Sequence, residues 1–382
     1  MRKAYTYRLY PTKGQIRILN RMLEATRWVY NEALATRKRA WEERQESLGL
    51  YDTHSLLPRW KAERPSLKIV HSQVLQNACV RVDLAFKAFF RRVKAGEQPG
   101  YPRFKGPGRY DSLTYPQYGN GVRLEGRHLI LSKIGSVKVV LHRPLEGTIK
   151  TVTIRRASTG KWYACFSVEV EPSPQPVPDA AVGIDVGLEH FATLSTGEHI
   201  PNPRFFRRDE SERRSGAAPQ QAKAQRKLSK AEKGTPERRK RRKIVARIHE
   251  RIANKRRDFA HQLSRNLVNR FGIIAFEDLN VQGMLEGRSG AAPQRLAKSI
   301  ADAAWKQFVQ YTMSKAAEAG RRVVLVDPRN TSQRCSRCGQ LVQKDVSVRV
   351  HSCPVCGLVL DRDENAAINI LALGLQCLGA SP

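Results

Sequence analysis

Four of the seven cysteines in this 382-residue chain form two Cys-x2-Cys pairs, Cys335/Cys338 and Cys353/Cys356, with fourteen residues between the pairs. Each pair spans one tight turn, so two thiolates can reach one ion, and a tetrahedron of four thiolates suits Zn²⁺. Because four protein ligands leave no open coordination position, the pattern predicts one structural zinc ion. Free cysteines in a core are the alternative. This cysteine usage favours a reducing, cytoplasmic setting over a disulfide scaffold.

The chain is strongly basic, with 68 Lys and Arg against 35 Asp and Glu and a net charge of +33. Such an excess predicts a polyanionic partner, for which nucleic acid is the first choice and an anionic membrane the second. No run of about 18 apolar residues is present, so we expect no membrane span. The stretch Met1–Tyr7 has no apolar core, so we do not expect a signal peptide.

The hydrophobic pattern of the first half changes along the chain. Residues 2–9 alternate like a strand, and residues 10–96 carry helical spacing, with a polar stretch at 51–55 between the helices. Strand-like runs separated by turn signals occupy 97–178 and suggest a small barrel or sandwich. Alternate prolines, the last of them Pro178, cannot continue a sheet and mark a boundary.

The second half predicts a mixed α/β domain. Strands and helices alternate over residues 180–327, and the longest helices are expected at 236–270 and 295–319. The cysteine cluster follows, and Asn365–Leu373 is predicted as the final helix. The residues after this helix are predicted to form a tail.

Three carboxylates stand out in so basic a chain. Asp185 and Glu277 each end an apolar strand, and Asp363 lies where the chain leaves the cysteines and begins the last helix. Such side chains can converge at the strand ends of an α/β sheet, where carboxylates hold Mg²⁺ or Mn²⁺ and a pair of ions cleaves phosphodiesters in line. Each acid alone would more often be a cap or an ion-pair partner. The set of three predicts a nuclease site.

A basic run follows the first strands of this domain. Residues 222–259 hold 16 Lys and Arg against four acids, and a stripe of isoleucines is expected to pack one side of the helix. The other side then forms a basic ridge that can follow phosphates, with Arg238, Arg239, Arg241 and Arg242 as candidates. A solvated helix face is the alternative.

In combination, these motifs resemble the TnpB proteins, which are encoded by transposons and share a nuclease core with the type V CRISPR effectors. The matching pieces, in order, are Tyr10-Pro11-Thr12-x2-Gln15, Pro102-Arg103-Phe104-Lys105, Gly183-Ile184-Asp185-Val186-Gly187, Phe276-Glu277-Asp278-Leu279-Asn280, Cys335-x2-Cys338-Gly339, Cys353-x2-Cys356-Gly357 and Asp361-Arg362-Asp363-Glu364-Asn365-Ala366-Ala367-Ile368-Asn369. Each piece alone is weak, but their order and spacing cover nearly the whole chain.

The resemblance implies a multidomain α/β fold. It implies a wedge β-barrel interrupted by a helical recognition lobe, then a RuvC-type (RNase H-like) nuclease domain interrupted by a zinc finger. The corresponding residues are 1–9 and 97–178 for the barrel, 10–96 for the lobe, 179–330 and 358–373 for the nuclease, 331–357 for the finger and 374–382 for the tail.

The resemblance also implies an RNA-guided DNA endonuclease. Asp185, Glu277 and Asp363 would be its catalytic triad and hold Mg²⁺ or Mn²⁺, with two ions expected. Asp361 is the rival of Asp363, but the family pattern Asp-x-Asn-Ala-Ala favours Asp363. The expected partners are a guide RNA from the transposon end and double-stranded target DNA, in a prokaryotic cytoplasm and close to the nucleoid.

A protein of this type must read a short motif beside its target, because guide pairing supplies the rest of the sequence. Amide, hydroxyl and phenol groups can bond base edges. The candidates are Tyr51, Thr53, Gln73, Gln76, Ser112 and Thr114. Arg103 and Lys105 are expected to contact phosphate. For each single candidate, an ordinary surface polar residue is the alternative.

Three other functions stay open at this point. One is an RNA-guided DNA-binding protein without cleavage, which three intact acids argue against. The second is a transposase or resolvase that acts without RNA. The third is a zinc-stabilised chromatin or RNA-binding protein, which would leave the strand-end acids unexplained. The heptapeptide Arg-Ser-Gly-Ala-Ala-Pro-Gln at 214–220 and again at 288–294 is assigned no chemistry.

Overall fold

The protein was analysed as a computed structural model that describes residues 1–206, 220–285, 294–345 and 347–379. The chain divides into two compact units, Met1–Glu171 and Pro172–Pro382. The two heptapeptide copies fall outside the described residues except for the last glutamine of each. Within the described part of the chain, no helix has the length and apolar character needed to cross a bilayer.

The first unit is built on a seven-stranded antiparallel sheet that curls into a nearly closed barrel. The strand order is β2-β6-β7-β1-β5-β4-β3. Strand β1 lies in the middle of this order, where Tyr5 pairs with Phe166 on one side and Arg8 with Val140 on the other. The strands are β1 (Arg2–Tyr10), β2 (Ser112–Tyr115), β3 (Val122–Glu125), β4 (His128–Leu131), β5 (Gly135–Val140), β6 (Thr148–Arg156) and β7 (Trp162–Glu169).

The helices of this unit are inserted between β1 and β2. They are α1 (Lys13–Arg44), α2 (Leu50–Ser55), α3 (Leu57–Glu63) and α4 (Ser72–Lys94), with a 3-10 turn at Pro65–Ile69. Helix α1 begins with the capping box of Thr12 and Gln15 that its sequence indicates. The polar stretch expected between helices is itself helix α2, because Asp52 accepts a hydrogen bond from the amide of Gly49 and closes its first turn.

The second unit contains a mixed five-stranded sheet of order β10-β9-β8-β11-β12. Strands β8, β11 and β12 are parallel, whereas β9 is antiparallel to both of its neighbours. The strands are β8 (Ala181–Asp185), β9 (His190–Leu194), β10 (His199–Pro201), β11 (Ile273–Glu277) and β12 (Arg322–Val326). The helices are α5 (Gln220–Lys230), α6 (Pro236–Arg270), α7 (Val281–Leu285), α8 (Gln294–Ala303), α9 (Trp305–Ala319) and α10 (Arg362–Cys377).

Two helix predictions need correction. The helix expected over 295–319 is divided, because Ala304 takes a left-handed conformation with φ of 56° and separates α8 from α9. The last helix is longer than predicted and ends at Cys377, so four residues assigned to the tail belong to the helix. Gly374 packs there, since a Cβ at this position would lie 2.6 Å from the Cβ of Ala275.

The proline-rich segment is held against the second unit. The buried guanidinium of Arg321 donates hydrogen bonds to the carbonyl oxygens of Gln175, at 2.8 Å, and Pro176, at 2.7 Å. A charge-assisted hydrogen bond is stronger than a neutral one, and here it ties a segment without regular structure to the end of α9.

Candidate active site

Two of the three predicted acids are neighbours at one edge of the sheet. Strands β8 and β11 are parallel, and their last paired residues are Ile184 and Phe276. The next residue on each strand is an acid, Asp185 and Glu277. Both side chains are half-buried, while Ile184 and Phe276 are buried and anchor the strand ends in the core. The apolar runs therefore fix where the two carboxylates emerge.

Asp363 reaches the same edge from helix α10. The helix lies directly on β8, and Asp361 is its N-cap: the Asp361 carboxylate accepts hydrogen bonds from the amides of Asp363, at 2.8 Å, and Glu364, at 3.1 Å. Asp363 is thus in the first turn, with only 7% of its surface exposed. A Cβ at Gly187, just after Asp185, would lie 4.0 Å from Asp363 Oδ2.

The other two acids act on the pKa of Asp185. Desolvation raises the pKa of Asp185 well above its usual value, and the negative charges of Glu277 and Asp363 raise it further, while Arg362 opposes the shift. Burial also raises the pKa of Glu277, against a hydrogen bond that its Oε1 accepts from the hydroxyl of Thr331. Carboxylates that disfavour one another's charge in a desolvated place suit a divalent cation, which would stabilise the ionised forms.

Two arginines contact Asp363. Arg362 donates to Asp363 Oδ1 from Nε at 2.9 Å and from Nη2 at 2.7 Å. Arg349 Nη1 lies 3.6 Å from Asp363 Oδ2, and its Nη2 lies 3.0 Å from Glu189. The three carboxylates do not form a closed set of ligand atoms within 4.8 Å. Among the described residues, the cysteines alone do so. As oxygen donors, however, the three acids fit a hard cation such as Mg²⁺ or Mn²⁺.

The four cysteines come together as their spacing predicts. Their sulfurs lie within 4.8 Å of one another, with Cys335 and Cys356 at 3.5 Å and Cys338 and Cys353 at 3.6 Å. In each pair the amide of the glycine after the second cysteine donates to the carbonyl of the first, as in Gly339 to Cys335 at 2.9 Å. This arrangement can hold a tetrahedral zinc ion.

The cysteine segment is bound to helix α10 through two buried asparagines. The side chain of Asn365 accepts from the amide of Ser336 and donates to the carbonyl of Arg334. Asn369 donates to the carbonyls of Thr331 and Arg334. A short hairpin, β13 (Val350–Ser352) paired with β14 (Val359–Asp361), then returns the chain to the start of α10. The cysteine cluster and Asp363 therefore share one support.

Sequence reasoning missed several of these residues. Thr331 and Arg349 carry no local signal, because their partners are distant in the chain. Asn365 and Asn369 did carry one: asparagine is disfavoured inside helices, and two of them four residues apart on one face indicate a specific hydrogen-bonding role.

The basic ridge is only partly available to phosphates. Arg238 Nη1 donates to the carbonyls of Leu228, at 3.2 Å, and Ala231, so it fastens the α5–α6 turn. Nη1 of Arg238 is therefore engaged within the protein, and contact of this residue with phosphate stays a prediction. Arg239 donates to Gly234, and Arg241 pairs with Glu237 one turn earlier.

Arg242 is exposed on the outer side of α6 and stays a phosphate candidate. In the other unit, Arg103 is exposed, whereas Lys105 is half-buried with its ammonium 5.6 Å from the ring of Tyr30. Asn31 accepts a hydrogen bond from the backbone amide of Lys105 and so fixes this loop.

The candidates for target-motif reading have unequal access. Thr53 is buried, and its hydroxyl donates to the carbonyl of Leu50 at 2.8 Å, so the prediction that it reads bases is wrong. Tyr51 is 85% exposed and Gln76 is exposed.

The other three candidates make contacts around α4. Arg81 donates to the Ser112 hydroxyl, at 3.2 Å, and to the Thr114 hydroxyl, at 2.8 Å. The Gln73 amide donates to Gln117 at 2.8 Å. These contacts hold the side chains in fixed orientations beside the sheet.

Three family profiles match the chain. The OrfB_IS605 profile, described as "Probable transposase", matches residues 165–288, and the Cas12f1-like TNB domain profile matches residues 305–370. A profile described as a helix-turn-helix domain matches residues 1–46, which here form strand β1 and the single long helix α1.

Two bacterial relatives align with nearly the whole chain. A protein of Streptomyces pristinaespiralis, provisionally named RNA-guided DNA endonuclease, is 37% identical over 98% of this chain and 90% of its own length. InsQ of Escherichia coli, with the same provisional name, is 33% identical over 97% of this chain and 92% of its own length.

A solved structure shares the fold. The cryo-EM structure of the Cas12f1–sgRNA–target DNA complex matches with a TM-score of 0.58 at 16% identity, over 94% of this chain and 83% of that chain. This likeness shows that the two proteins share an α/β fold, and the profile match adds a Cas12f1-like TNB domain at residues 305–370. The bacterial relatives are closer in sequence, and the chain belongs to the TnpB family of transposon-encoded proteins.

Proposed function

We propose that this protein is an RNA-guided DNA endonuclease with a RuvC-type active site. The observation that carries the proposal is the adjacency of Asp185 and Glu277 at the ends of two parallel strands, with Asp363 on the helix that covers them. The provisional names of the relatives from Streptomyces pristinaespiralis and Escherichia coli agree with this activity.

The sheet supports the RuvC assignment. Its order β10-β9-β8-β11-β12, in which β9 alone runs against the others, is that of an RNase H-like sheet. The first strand of an RNase H-like sheet is central and ends at the active site, and β8 is likewise central and ends at Asp185. We assign the nuclease domain to residues 179–330 and 358–377, since helix α10 continues to Cys377, with the cysteine segment 331–357 as its zinc finger.

The remaining segments are assigned to recognition. We assign residues 1–9 and 97–171 to the wedge barrel, residues 10–96 to the recognition lobe and residues beyond α10 to the tail. The proline-rich segment from Pro172 to Pro178, predicted as the end of the barrel, belongs to the second unit instead. The guide RNA, derived from the transposon end, pairs with one strand of the target. The net charge of +33 matches two nucleic-acid partners. Tyr51 and Gln76, which are exposed, are the best-placed candidates to read the short motif beside the target, and Gln73, Ser112 and Thr114 follow them.

Each residue at the site has a distinct part in the reaction. Asp185, Glu277 and Asp363 would hold two Mg²⁺ or Mn²⁺ ions, and Thr331 fixes the orientation of the Glu277 carboxylate. Bound divalent ions supply Lewis-acid stabilisation of the phosphodiester and a lowered pKa for water. Arg362 and Arg349 place positive charge beside Asp363, where the backbone of the cut strand would carry its negative charge.

The proposal is tested by expressing the protein with its transposon end and sequencing the RNA that co-purifies. The complex is then given Mg²⁺ and plasmids that carry a guide-matched target beside randomised sequence. We expect one uniform RNA species and cleavage next to a fixed motif. Asp185→Ala should keep the RNA and lose cleavage. Asp278→Ala, which removes the exposed acid next to Glu277, is the matched control and should still cut.

The same experiment separates the alternatives. Wild-type protein that carries the RNA and binds the target without cutting it would be a binding protein. Cutting by protein that is free of RNA would indicate a transposase or resolvase. Undiminished cutting by Asp185→Ala would overturn the active site proposed here.

A further inference from the structure

An aromatic cluster lies at the C-terminal end of helix α4 in the first unit. We define the aromatic patch as Phe86, Phe89, Phe90 and Tyr101. The ring centroids of Phe89 and Phe90 are 5.2 Å apart, and Tyr101 lies 5.7 Å from Phe89 and 5.6 Å from Phe86. These contacts are edge-to-face, which is a favourable geometry for aromatic pairs.

The aromatic patch is only half embedded in the protein. Phe86 is buried, and the Arg37 guanidinium lies 4.3 Å from the centroid of its ring. By contrast, Phe90 is 53% exposed and Tyr101 is 44% exposed. Val93, one turn beyond Phe90, is exposed as well. A rigid base thus presents aromatic surface to solvent, which in a folded protein usually marks a contact site.

The surroundings of the aromatic patch are basic. The last turns of α4 carry four exposed cations, Lys87, Arg91, Arg92 and Lys94. Arg37 and Lys87 both pair with Asp83, and the charges that act on Tyr101 are those of Lys38, Glu42 and Arg37 on α1. Four exposed cations around exposed aromatic rings favour a partner that carries regularly spaced negative charge. The patch and its cations together complement a nucleic acid, which carries both phosphates and flat, partly apolar bases.

We infer that the aromatic patch stacks unpaired bases of a single-stranded nucleic acid, while the α4 cations hold the adjoining phosphates. Stacking on aromatic side chains is tolerant of sequence, because every base has a π-face, and each base typically contributes about tenfold to affinity. The inference rests on the proposed function only for the source of the strand, which is either the guide RNA or a displaced DNA strand. Both present the same chemistry.

The test compares three probes of equal length: a 12-nucleotide oligouridylate, the matching oligothymidylate and an abasic DNA strand. Affinity is measured by fluorescence anisotropy without added divalent ions, so that nothing is cut. We expect wild-type protein to prefer the base-bearing strands over the abasic one by about tenfold. Tighter binding of the RNA would identify the guide as the source, and tighter binding of the DNA would identify the displaced strand.

Two substitutions at one position separate stacking from simple apolar contact. Phe90→Leu keeps the apolar character but removes the π-face, so it should lose the preference for bases and keep its affinity for the abasic strand. Phe90→Tyr should retain the preference. Tyr10→Leu is the matched control, because Tyr10 is also 53% exposed in the same unit, and it should behave as wild type. Thermal unfolding confirms that each variant is folded.

Two results would overturn the inference. One is an unchanged preference for bases in Phe90→Leu. The other is a wild-type dimer, seen by sedimentation, that Phe90→Glu converts to a monomer, since the patch would then bind a second copy of this chain. Neither result depends on cleavage, so failure here leaves the proposed nuclease standing, and loss of the nuclease leaves this binding test intact.

Discussion

Gly183 lies directly against Ala367. A Cβ on residue 183 would overlap the carbonyl oxygen of Ala367 and would lie 2.5 Å from the amide nitrogen of Leu371. Helix α10 can therefore rest on strand β8 without a side chain between the two backbones. This close approach sets the height of the helix above the sheet, and with it the position of Asp363 relative to Asp185.

Gly183→Ala is expected to lower stability and activity together. The added methyl group must push α10 away from β8, and overpacking of this kind costs about 1–3 kcal/mol. Urea unfolding and a cleavage assay measure the two effects. Gly106→Ala is the control, since no described heavy atom lies within 4 Å of its new methyl group. A Gly183→Ala protein with wild-type stability would mean that the helix can shift at no cost.

Asp185→Asn should stabilise the protein at neutral pH in the absence of divalent ions. The native state raises the pKa of Asp185, so it binds the proton more tightly than the unfolded chain does. The contribution of Asp185 to stability therefore falls as the pH rises from the unfolded value of about 3.9 towards the folded pKa. Asparagine carries no charge at any pH, so the Asp185→Asn protein does not lose this stability as the pH rises.

Melting temperatures at several pH values check this prediction. The advantage of Asp185→Asn should vanish below about pH 4, where the acid is protonated in both states. Added Mg²⁺ or Mn²⁺ should reverse it, because an ion that binds the native wild type stabilises that protein. Equal melting temperatures of the two proteins at neutral pH would contradict the electrostatic interpretation.

Asp363→Asn should abolish cleavage, whereas Asp361→Asn should retain it. The Asp361 side chain caps α10 through two backbone amides, and asparagine caps a helix about as well as aspartate. The charge of Asp363 raises the pKa of Asp185 more than the charge of Asp361 does, so Asp363 supplies more of the negative charge that a divalent cation requires. Cleavage by both variants is measured over a range of Mg²⁺ concentrations. Complete loss in both folded proteins would show that Asp361 acts on the metal too.

Cys338→Ser should release bound zinc and lower the melting temperature, because structural zinc contributes directly to the free energy of folding. Zinc content by mass spectrometry and thermal unfolding provide the two measurements. Cys377→Ser is the matched control, since Cys377 is exposed and lies outside the four-cysteine cluster. Full zinc content in Cys338→Ser would exclude this residue as a ligand.

Arg238→Gln and Arg242→Gln should affect different properties. Arg238 fastens the α5–α6 turn, so its loss should lower stability and leave the salt dependence of nucleic-acid binding unchanged. Arg242 is exposed, so its loss should reduce the slope of log affinity against log salt by about 1. Binding isotherms at several salt concentrations distinguish the two. A smaller slope for Arg238→Gln would return that residue to the phosphate track.

Local rules were enough to predict several elements. Asp185 and Glu277 end short apolar runs, and such runs make buried strands whose ends are well marked. Helix α6 begins after Thr235, whose side chain accepts from the amide of Arg238, and ends at Arg270, as its sequence indicates. The family pattern Asp-x-Asn-Ala-Ala favours Asp363 over Asp361, and the structure places Asp361 at the N-cap of α10.

Other features depend on packing that the sequence does not display. Ala304 divides a predicted helix, although alanine is the strongest helix former and gives no sign of a break. Arg238 and Arg242 have nearly the same neighbours in sequence, and only the position of α5 distinguishes them. Strands β2 and β3 have four residues each, too few for alternation to be recognised.

The cysteine segment begins at Thr331, whose carbonyl accepts a hydrogen bond from Asn369 of helix α10, and ends at Asp361, the N-cap of the same helix. Because the cysteine segment begins and ends at the same helix, a change in the length of the segment places little strain on helix α10. The cysteine segment can therefore be shortened, extended or replaced, in evolution or by engineering. Asp185, Glu277 and Asp363 would keep their positions. The asparagine pair that fastens the segment marks where such a graft should be joined.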